Sequence, residues 1–315
     1  MNGQLLKLRL GVNKGTVSPW HADTIFGLWC WALLEREGQT MLELFLEACQ
    51  AGEPPVVFSD PFPGDTLPIP DFPFAGRAAT PVEREEQIQA AKTGKRLKSL
   101  RYLQSNLIQA LLKGETIDLS VAKGETFEIY VTDHVTMNRT QNRALEGGLF
   151  SLAEYRPSAG FITLYTYVES DWEDLFSDVI SFLLTKGIGG KRSIGRGSMQ
   201  LLSIEEAQGF LRYEQGNAFM SLSSFVPAKD DPVQGWYRIR VKRGAAGPGV
   251  TTSTSLKRPI IYLEPGATFL TSAPTRPFYG RLLRGVLPGN DHIVQSGFAL
   301  AVPALVTVAP QEQAI

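Results

Sequence analysis

The sequence predicts an α+β fold: a ferredoxin-like sheet with long insertions, followed by a strand-rich remainder. Strand-like and amphipathic helical segments alternate up to about residue 210, and strand patterns dominate beyond it. At 315 residues the chain is long enough for two units, expected at 1–210 and 211–315.

Leu5 to Leu10 alternates partly, as a strand does. Asp23 to Leu34 reads as a helix that Asp23 or Thr24 can cap, with Ile25, Phe26, Leu28, Trp29, Ala32 and Leu33 on its apolar face. A second helix is expected over Thr40 to Gln50. Pro54 to Pro73 holds too many prolines for continuous regular structure. Glu83 to Lys113 reads as helical with a break at Thr93-Gly94. It carries Lys92, Lys95, Arg96, Lys98 and Arg101, read as a solvated face. Glu125 to Thr132 and Gly160 to Val168 are rich in Ile, Tyr, Thr and Val, as strands are. Ser170-Asp171-Trp172-Glu173 has the form of a capping box, opening a helix that Gly187 terminates after Lys186. Met199 to Ile204 is the next strand. Further strands are expected at Gly235 to Lys242, Arg258 to Leu263, Ala267 to Thr271 and Gly297 to Val302. Gly244 to Ser255 reads as a flexible loop.

Composition narrows the function. The net charge of −1 excludes a general attraction to polyanions, so any such site must be local. The two parts differ: 20 basic and 26 acidic residues fall in 1–210, against 11 and 6 in 211–315. The acidic first part suits a basic protein partner. Cys30 and Cys49 are the only cysteines and sit in apolar stretches without metal-ligand companions. They read as buried thiols of a reducing, cytoplasmic protein. No signal peptide is recognisable. The apolar run Phe298 to Ala309 contains Pro303 and is too short to span a bilayer, so no membrane partner is expected.

The stretch Lys186 to Gly197 carries the functional signal. Of its twelve residues, five are glycine (Gly187, Gly189, Gly190, Gly195, Gly197) and four are cations (Lys186, Lys191, Arg192, Arg196). Glycine lets another molecule approach the main chain, and clustered cations with free N–H groups suit phosphate. A solvated linker is the alternative. Neither nucleotide fingerprint fits: Arg192 follows Lys191 where a P-loop needs Ser or Thr, and it occupies the third-glycine position of G-x-G-x-x-G. The order helix, loop, strand is also reversed.

A catalytic apparatus is not expected. Among the three histidines, His21 before a helix could act as a general acid or base, but a single histidine is weak grounds for catalysis, and no metal or cofactor motif occurs. Phe26, Trp29 and Trp31 read as core rather than as base-stacking platforms. Asp60 reads as ending a helix-to-loop transition, and Gly147-Gly148 as a tight turn. Arg139 and Arg143 are four apart, which suits a solvated helix face. Their neighbours His134 and Asn138 favour contact with RNA.

Several segments, in order, carry a resemblance. They are His21-Ala22-Asp23-Thr24-Ile25-Phe26-Gly27-Leu28-Trp29-Cys30-Trp31, Phe58-Ser59-Asp60-Pro61-Phe62-Pro63, and His134 to Thr140 with Glu146-Gly147-Gly148-Leu149-Phe150. The glycine-rich loop, Lys257 to Leu263 and Gly297 to Pro303 follow. They resemble the Csm-four family, a Cas-five group of the RAMP superfamily in type III-A CRISPR effector complexes. The resemblance spans residues 5–303, and the insert 83–113 has no place on the family pattern. It implies two RRM-like RAMP domains and a non-nuclease subunit that holds the 5′ handle of CRISPR RNA. It also implies docking to the large Cas-ten subunit, within a complex whose backbone is another RAMP subunit. The RNA contacts expected are His21, Asp23, Thr24, His134, Asn138, Arg139, Arg143, Lys186, Gly187, Gly189, Gly190, Lys191, Arg192, Ser193, Gly195, Arg196 and Gly197. Two rivals remain: a metal-independent RAMP endoribonuclease using His21 or His134, and a filament subunit that cleaves target RNA with a loop aspartate.

Overall fold

The computed structural model describes residues 2–73, 100–117, 122–247 and 256–307. The basic run at 92–98, most of the expected helix from 83, and the end of the 244–255 loop lie outside the described residues. Strand β1 (Gly3–Val12) leads into α1 (Ala22–Glu37) and α2 (Gln39–Ala51), then into three short strands. These are β2 (Val56–Phe58), β3 (Phe62–Pro63) and β4 (Thr66–Pro68). Strand β5 (Tyr102–Gln104) and α3 (Ser105–Leu112) precede a long hairpin of β6 (Phe127–Asn138) and β7 (Arg143–Pro157). The half closes with β8 (Phe161–Glu169), α4 (Glu173–Lys186) and β9 (Met199–Glu206).

The first sheet has the order β2-β8-β1-β9, with β3 also on β8, and every pairing is antiparallel. Residues Ile162 to Val168 of β8 are all buried, because α4 covers one face and the second sheet the other. A strand covered on both faces reads as a continuous apolar run rather than an alternation. In β1 the alternation survives: Leu6, Leu8 and Leu10 are buried, while Lys7 reaches Asp65 at 2.8 Å and Arg9 lies over Phe161. On α1, Ile25, Phe26, Trp29 and Leu33 form the buried stripe. Trp29 meets Phe58 and Phe176 at ring-centroid distances of 5.7 and 5.5 Å, which ties α1 to the sheet edge and to α4.

The second sheet is built from later residues: β10 (Ala218–Ser221), β11 (Gly235–Trp236), β14 (Thr268–Leu270), β15 (Phe278–Leu283) and β16 (Gln295–Ala304), in the order β11-β14-β10-β16-β15. A two-stranded ribbon, β12 (Ile239–Lys242) with β13 (Ile260–Leu263), stands beside it. All ten residues of β16 are buried, and it touches α1, β2 and β8. One apolar core therefore runs from Leu6 to Val306 across both sheets.

Several local expectations change. Helix α1 starts at Ala22, and neither Asp23 nor Thr24 caps it. The Ala22 N–H is taken instead by Asp60, 38 residues away. The capping box at Ser170 does not form: Ser170 to Trp172 is a 3₁₀ turn, and the Ser170 hydroxyl donates to the Asn2 carbonyl. Tyr102 to Gln104 is a strand because Leu103 pairs with Leu67 of β4 in the core. Arg139 and Arg143 flank a hairpin turn rather than sharing a helix face, and Gly147-Gly148 lies within β7. Cys49 is buried while Cys30 is only half-buried, and burial pushes both thiols up. Among the described residues, no helix is long and apolar enough to cross a membrane.

Candidate nucleic-acid interface

The glycine-rich loop is a built structure rather than a slack one. Helix α4 ends at Gly187 (φ 75°), whose N–H bonds the Leu184 carbonyl. The loop then closes on itself, with the Ile188 N–H donating to the Gly197 carbonyl at 2.9 Å. Gly197 in turn donates to Gly15 at 2.9 Å, and the Trp20 indole N–H donates to the Ile188 carbonyl at 3.0 Å. Two glycines are sterically required. A Cβ on Gly197 (φ 69°) would overlap the Ile188 carbonyl, and one on Gly189 (φ 106°) would overlap the Thr16 hydroxyl. Both also hold backbone angles that side-chain-bearing residues rarely adopt. Lys191 takes a left-handed conformation (φ 60°) and starts the 3₁₀ turn Arg192 to Ile194.

The loop's four cations have different surroundings. Arg196 is nearly buried and pairs with the fully buried Glu154 of β7. Glu154 also accepts the Gly15 N–H and the Arg156 Nε, each at 2.7 Å. The Arg196 guanidinium also lies 3.3 Å from the Thr132 hydroxyl and from His134 Nε2. His134 stacks on Phe150 at 5.5 Å. Arg196, His134 and Glu154 thus anchor the loop to the middle of the hairpin. Lys186 pairs with Glu35 of α1 at 2.8 Å. Lys191, exposed, and Arg192, half-buried, make no ion pair or side-chain hydrogen bond among the described residues, and Ser193 beside them is exposed. Gly190 and Gly195 (φ 81°) complete the turn, with Lys14 close to Gly195.

Asn138, Arg139 and Arg143 sit at the far end of the hairpin. The Asn138 side-chain oxygen accepts the N–H groups of Thr140 and Gln141 at 3.0 and 3.2 Å, and Arg143 Nε reaches Gln141 at 2.7 Å. Four strand residues from His134 to Asn138 span about 13 Å, so the structure separates this tip from the loop.

The start of α1 adjoins the loop through Trp20, but its polar groups face inward. Asp60 lies beneath His21: its carboxylate accepts from the Ala22 N–H at 2.9 Å, the Ser224 N–H at 3.0 Å and the Ser224 hydroxyl at 2.7 Å. His21 Nδ1 lies 3.0 Å from the same carboxylate, and Arg240 Nη1 lies 2.6 Å from His21 Nε2. The same Nη1 lies 3.2 Å from His21 Nδ1, so the guanidinium packs against the ring edge while Nδ1 faces Asp60. Burial alone would raise the Asp60 pKa. The bonds from His21 and from the Ser224 and Ala22 N–H groups outweigh it and hold the value down to about 2. Beside this node, Lys242 Nζ lies 2.7 Å from both Asp23 oxygens and 3.3 Å from the Thr24 hydroxyl, and Gln295 donates to Asp23 at 2.9 Å. His21, Asp23 and Thr24 are thus joined to groups of the second sheet and its ribbon. Asp60, Ser224, Arg240, Lys242 and Gln295 were not singled out as site residues from the sequence. The alternation Ile239-Arg240-Val241-Lys242 held a signal, since it puts both cations on one face of a strand.

Comparison with known proteins places the chain. The RAMP superfamily model matches residues 11–200, more than half of the sequence, and the chain belongs to that superfamily. A Streptococcus thermophilus protein, "CRISPR system Cms protein Csm4", is 28% identical over 260 residues, covering 79% of this chain and 80% of its own. Among solved structures, a Csm1-Csm4 cassette in complex with pppApA aligns with a TM-score of 0.63 at 16% identity. That alignment covers 97% of this chain and 100% of the other. A Csm3-Csm4 subcomplex of the type III-A CRISPR-Cas interference complex aligns with a TM-score of 0.54 at 14% identity, covering 95% and 99%. At such identities the structural likeness shows the fold. The resemblance read from the sequence motifs is borne out by the superfamily match and by the name of the curated relative.

Proposed function

We propose that this chain is a non-catalytic RNA-binding subunit of a type III-A CRISPR effector complex. In this reading it caps the 5′ repeat-derived handle of CRISPR RNA and docks a large Cas-ten subunit and a backbone RAMP subunit in the cytoplasm. The observation that carries the reading is the glycine-rich loop, which holds Lys191 and Arg192 without counter-charges on a main chain too tightly bonded to collapse. Unpaired cations on a fixed frame suit the phosphates of single-stranded RNA. The relatives' names, Csm1-Csm4 and Csm3-Csm4, support the partner classes. Two RRM-like units, 1–210 and 211–315, belong to the same proposal, supported by the division of strands between the two sheets. The first sheet has the ferredoxin-like order, counting β1, β2, β8 and β9 as strands one to four.

The site residues divide within this reading. Lys191, Arg192 and Ser193 with the loop backbone touch RNA directly, and Arg139 touches it at the hairpin tip, where Asn138 and Arg143 hold the turn. His21, Asp23, Thr24, His134 and Arg196 hold the frame, because their polar atoms already have protein partners. The His21–Asp60 pair superficially suits a nuclease, but Arg240 occupies His21 Nε2. Filter binding of a repeat-derived RNA tests the reading. Lys191→Ala with Arg192→Ala should weaken binding and flatten its salt dependence, and unchanged affinity and slope would reject the loop's role. Site-specific cleavage of that RNA, abolished by His21→Ala, would replace the reading with the endoribonuclease.

A further inference from the structure

A groove of about 800 Å³ lies between α1, the last turn of α4 and the tip of the glycine-rich loop. Its α1 wall is the stripe Leu28, Trp31, Ala32 and Glu35, residues spaced i, i+3, i+4, i+7 and therefore on one helix face. Phe182 of α4 stands opposite, and Lys191 and Arg192 close the loop end. Trp31 is 41% exposed, although Trp29, two residues away, is fully buried. The sequence reading of Trp31 as core is thus corrected: it belongs to the groove, and the main chain at Gly247 passes against its indole edge. The lining carries Lys186, Lys191 and Arg192 against the single carboxylate of Glu35. Lys186 pairs with that carboxylate at 2.8 Å, which leaves two unpaired cations.

We infer that this groove takes one unstacked nucleotide of a single-stranded RNA, its base against Trp31 and its phosphate on Lys191 and Arg192. This rests on the RNA-binding reading of the loop and deepens it, because it assigns a base-contacting pocket where the loop alone contacts backbone. An exposed indole is a stacking platform for any base. A base is joined to its phosphate through one ribose, so an aromatic wall and unpaired cations lining the same groove match a nucleotide better than an apolar ligand. The volume falls in the range of small-molecule sites. Glu35, held by Lys186, is placed as an acceptor for the amino edge of a base.

Two probes decide this with the full chain: an octameric oligoadenylate, and the same octamer with its bases removed. Trp31→Ala should weaken oligoadenylate binding about tenfold and leave the abasic octamer unchanged, while Trp31→Phe keeps most of the affinity. Lys191→Ala with Arg192→Ala should weaken both octamers alike. Thermal melts should coincide for wild type and the Trp31 variants, since the ring is not a core residue. Equal effects of Trp31→Ala on both octamers, or none, would overturn the pocket. If the cations still matter in that case, the loop's contact with RNA stands and only the pocket is lost. If neither substitution changes the affinity, both ideas fall.

Discussion

At the joint between the sheets, Arg240 meets His21 at 2.6 Å and the Ser224 hydroxyl at 2.9 Å, and Lys242 meets Asp23 at 2.7 Å. At the tip of the glycine-rich loop, Lys191 and Arg192 make no ion pair or side-chain hydrogen bond among the described residues. Both regions adjoin α1, the joint at its first turn and the tip beside Leu28 to Glu35, and both hold two cations within three residues of one another. The difference lies in what surrounds them. The joint is half-buried, and every cation there answers a carboxylate, a hydroxyl or a ring nitrogen, because an unpaired charge in such a place is costly. The tip is wetter, and its cations can wait for an external anion at no such cost. Partner satisfaction therefore separates residues that build a site from residues that touch the ligand, where charge and position in the chain do not.

The largest expected effect tests the joint. Asp60→Ala removes the acceptor for His21, Ser224 and the α1 N-terminus together, leaving buried donors unpaired, and should cost about 3–5 kcal/mol. Urea unfolding measures this, and a loss below about 1 kcal/mol would mean that water replaces the carboxylate. Glu154→Ala should follow at about 3 kcal/mol, since it strips Arg196 and the Gly15 N–H of their buried acceptor. It should also loosen the loop, seen as faster amide exchange at Ile188 and Gly197.

The pH dependence comes next. The Asp60 carboxyl has its pKa held down to about 2 in the folded chain, against about 3.9 when unfolded. Its contribution is therefore complete above about pH 5 and is lost progressively as the pH falls through about 2, amounting to about 2–3 kcal/mol. Stability curves of wild type and Asp60→Asn should converge across that window, and parallel curves would remove Asp60 from the acid response. The smallest effect on folding belongs to the tip. Lys191→Ala with Arg192→Ala should change stability by no more than about 0.5 kcal/mol. The same pair should lower the salt slope of RNA binding by about 1.4, the value for two phosphate contacts on a single strand. A large stability loss here would mean that the tip is a second joint, and the contrast between the regions would fail.

Much of the framework was legible in the sequence. The strands at Leu5 to Leu10 and Gly160 to Val168, both helices flanking them, and Gly187 as a helix terminator follow from local periodicity and backbone sterics. These depend on near neighbours only. The glycines of the loop were legible for the same reason, since positive φ and close approach are properties of a short segment. The hairpin's second strand was not, because β7 is exposed along most of both faces and shows no alternation. The inward turn of Arg240 and Lys242 ran against the usual pattern, with Ile239 and Val241 left outside at 62% and 63% exposure.

What the sequence determined by itself was the superfamily, the α+β class and the presence of a cationic, glycine-built loop, because these rest on motifs and on periodicities of a few residues. What only the tertiary structure decided was the role of each polar side chain. Asp60 and Ser224 are 164 residues apart, and His21 and Arg240 are 219 apart, yet they share one hydrogen-bonded node. Whether a cation is paired or free depends on which distant segment the fold brings beside it, and no local pattern carries that information.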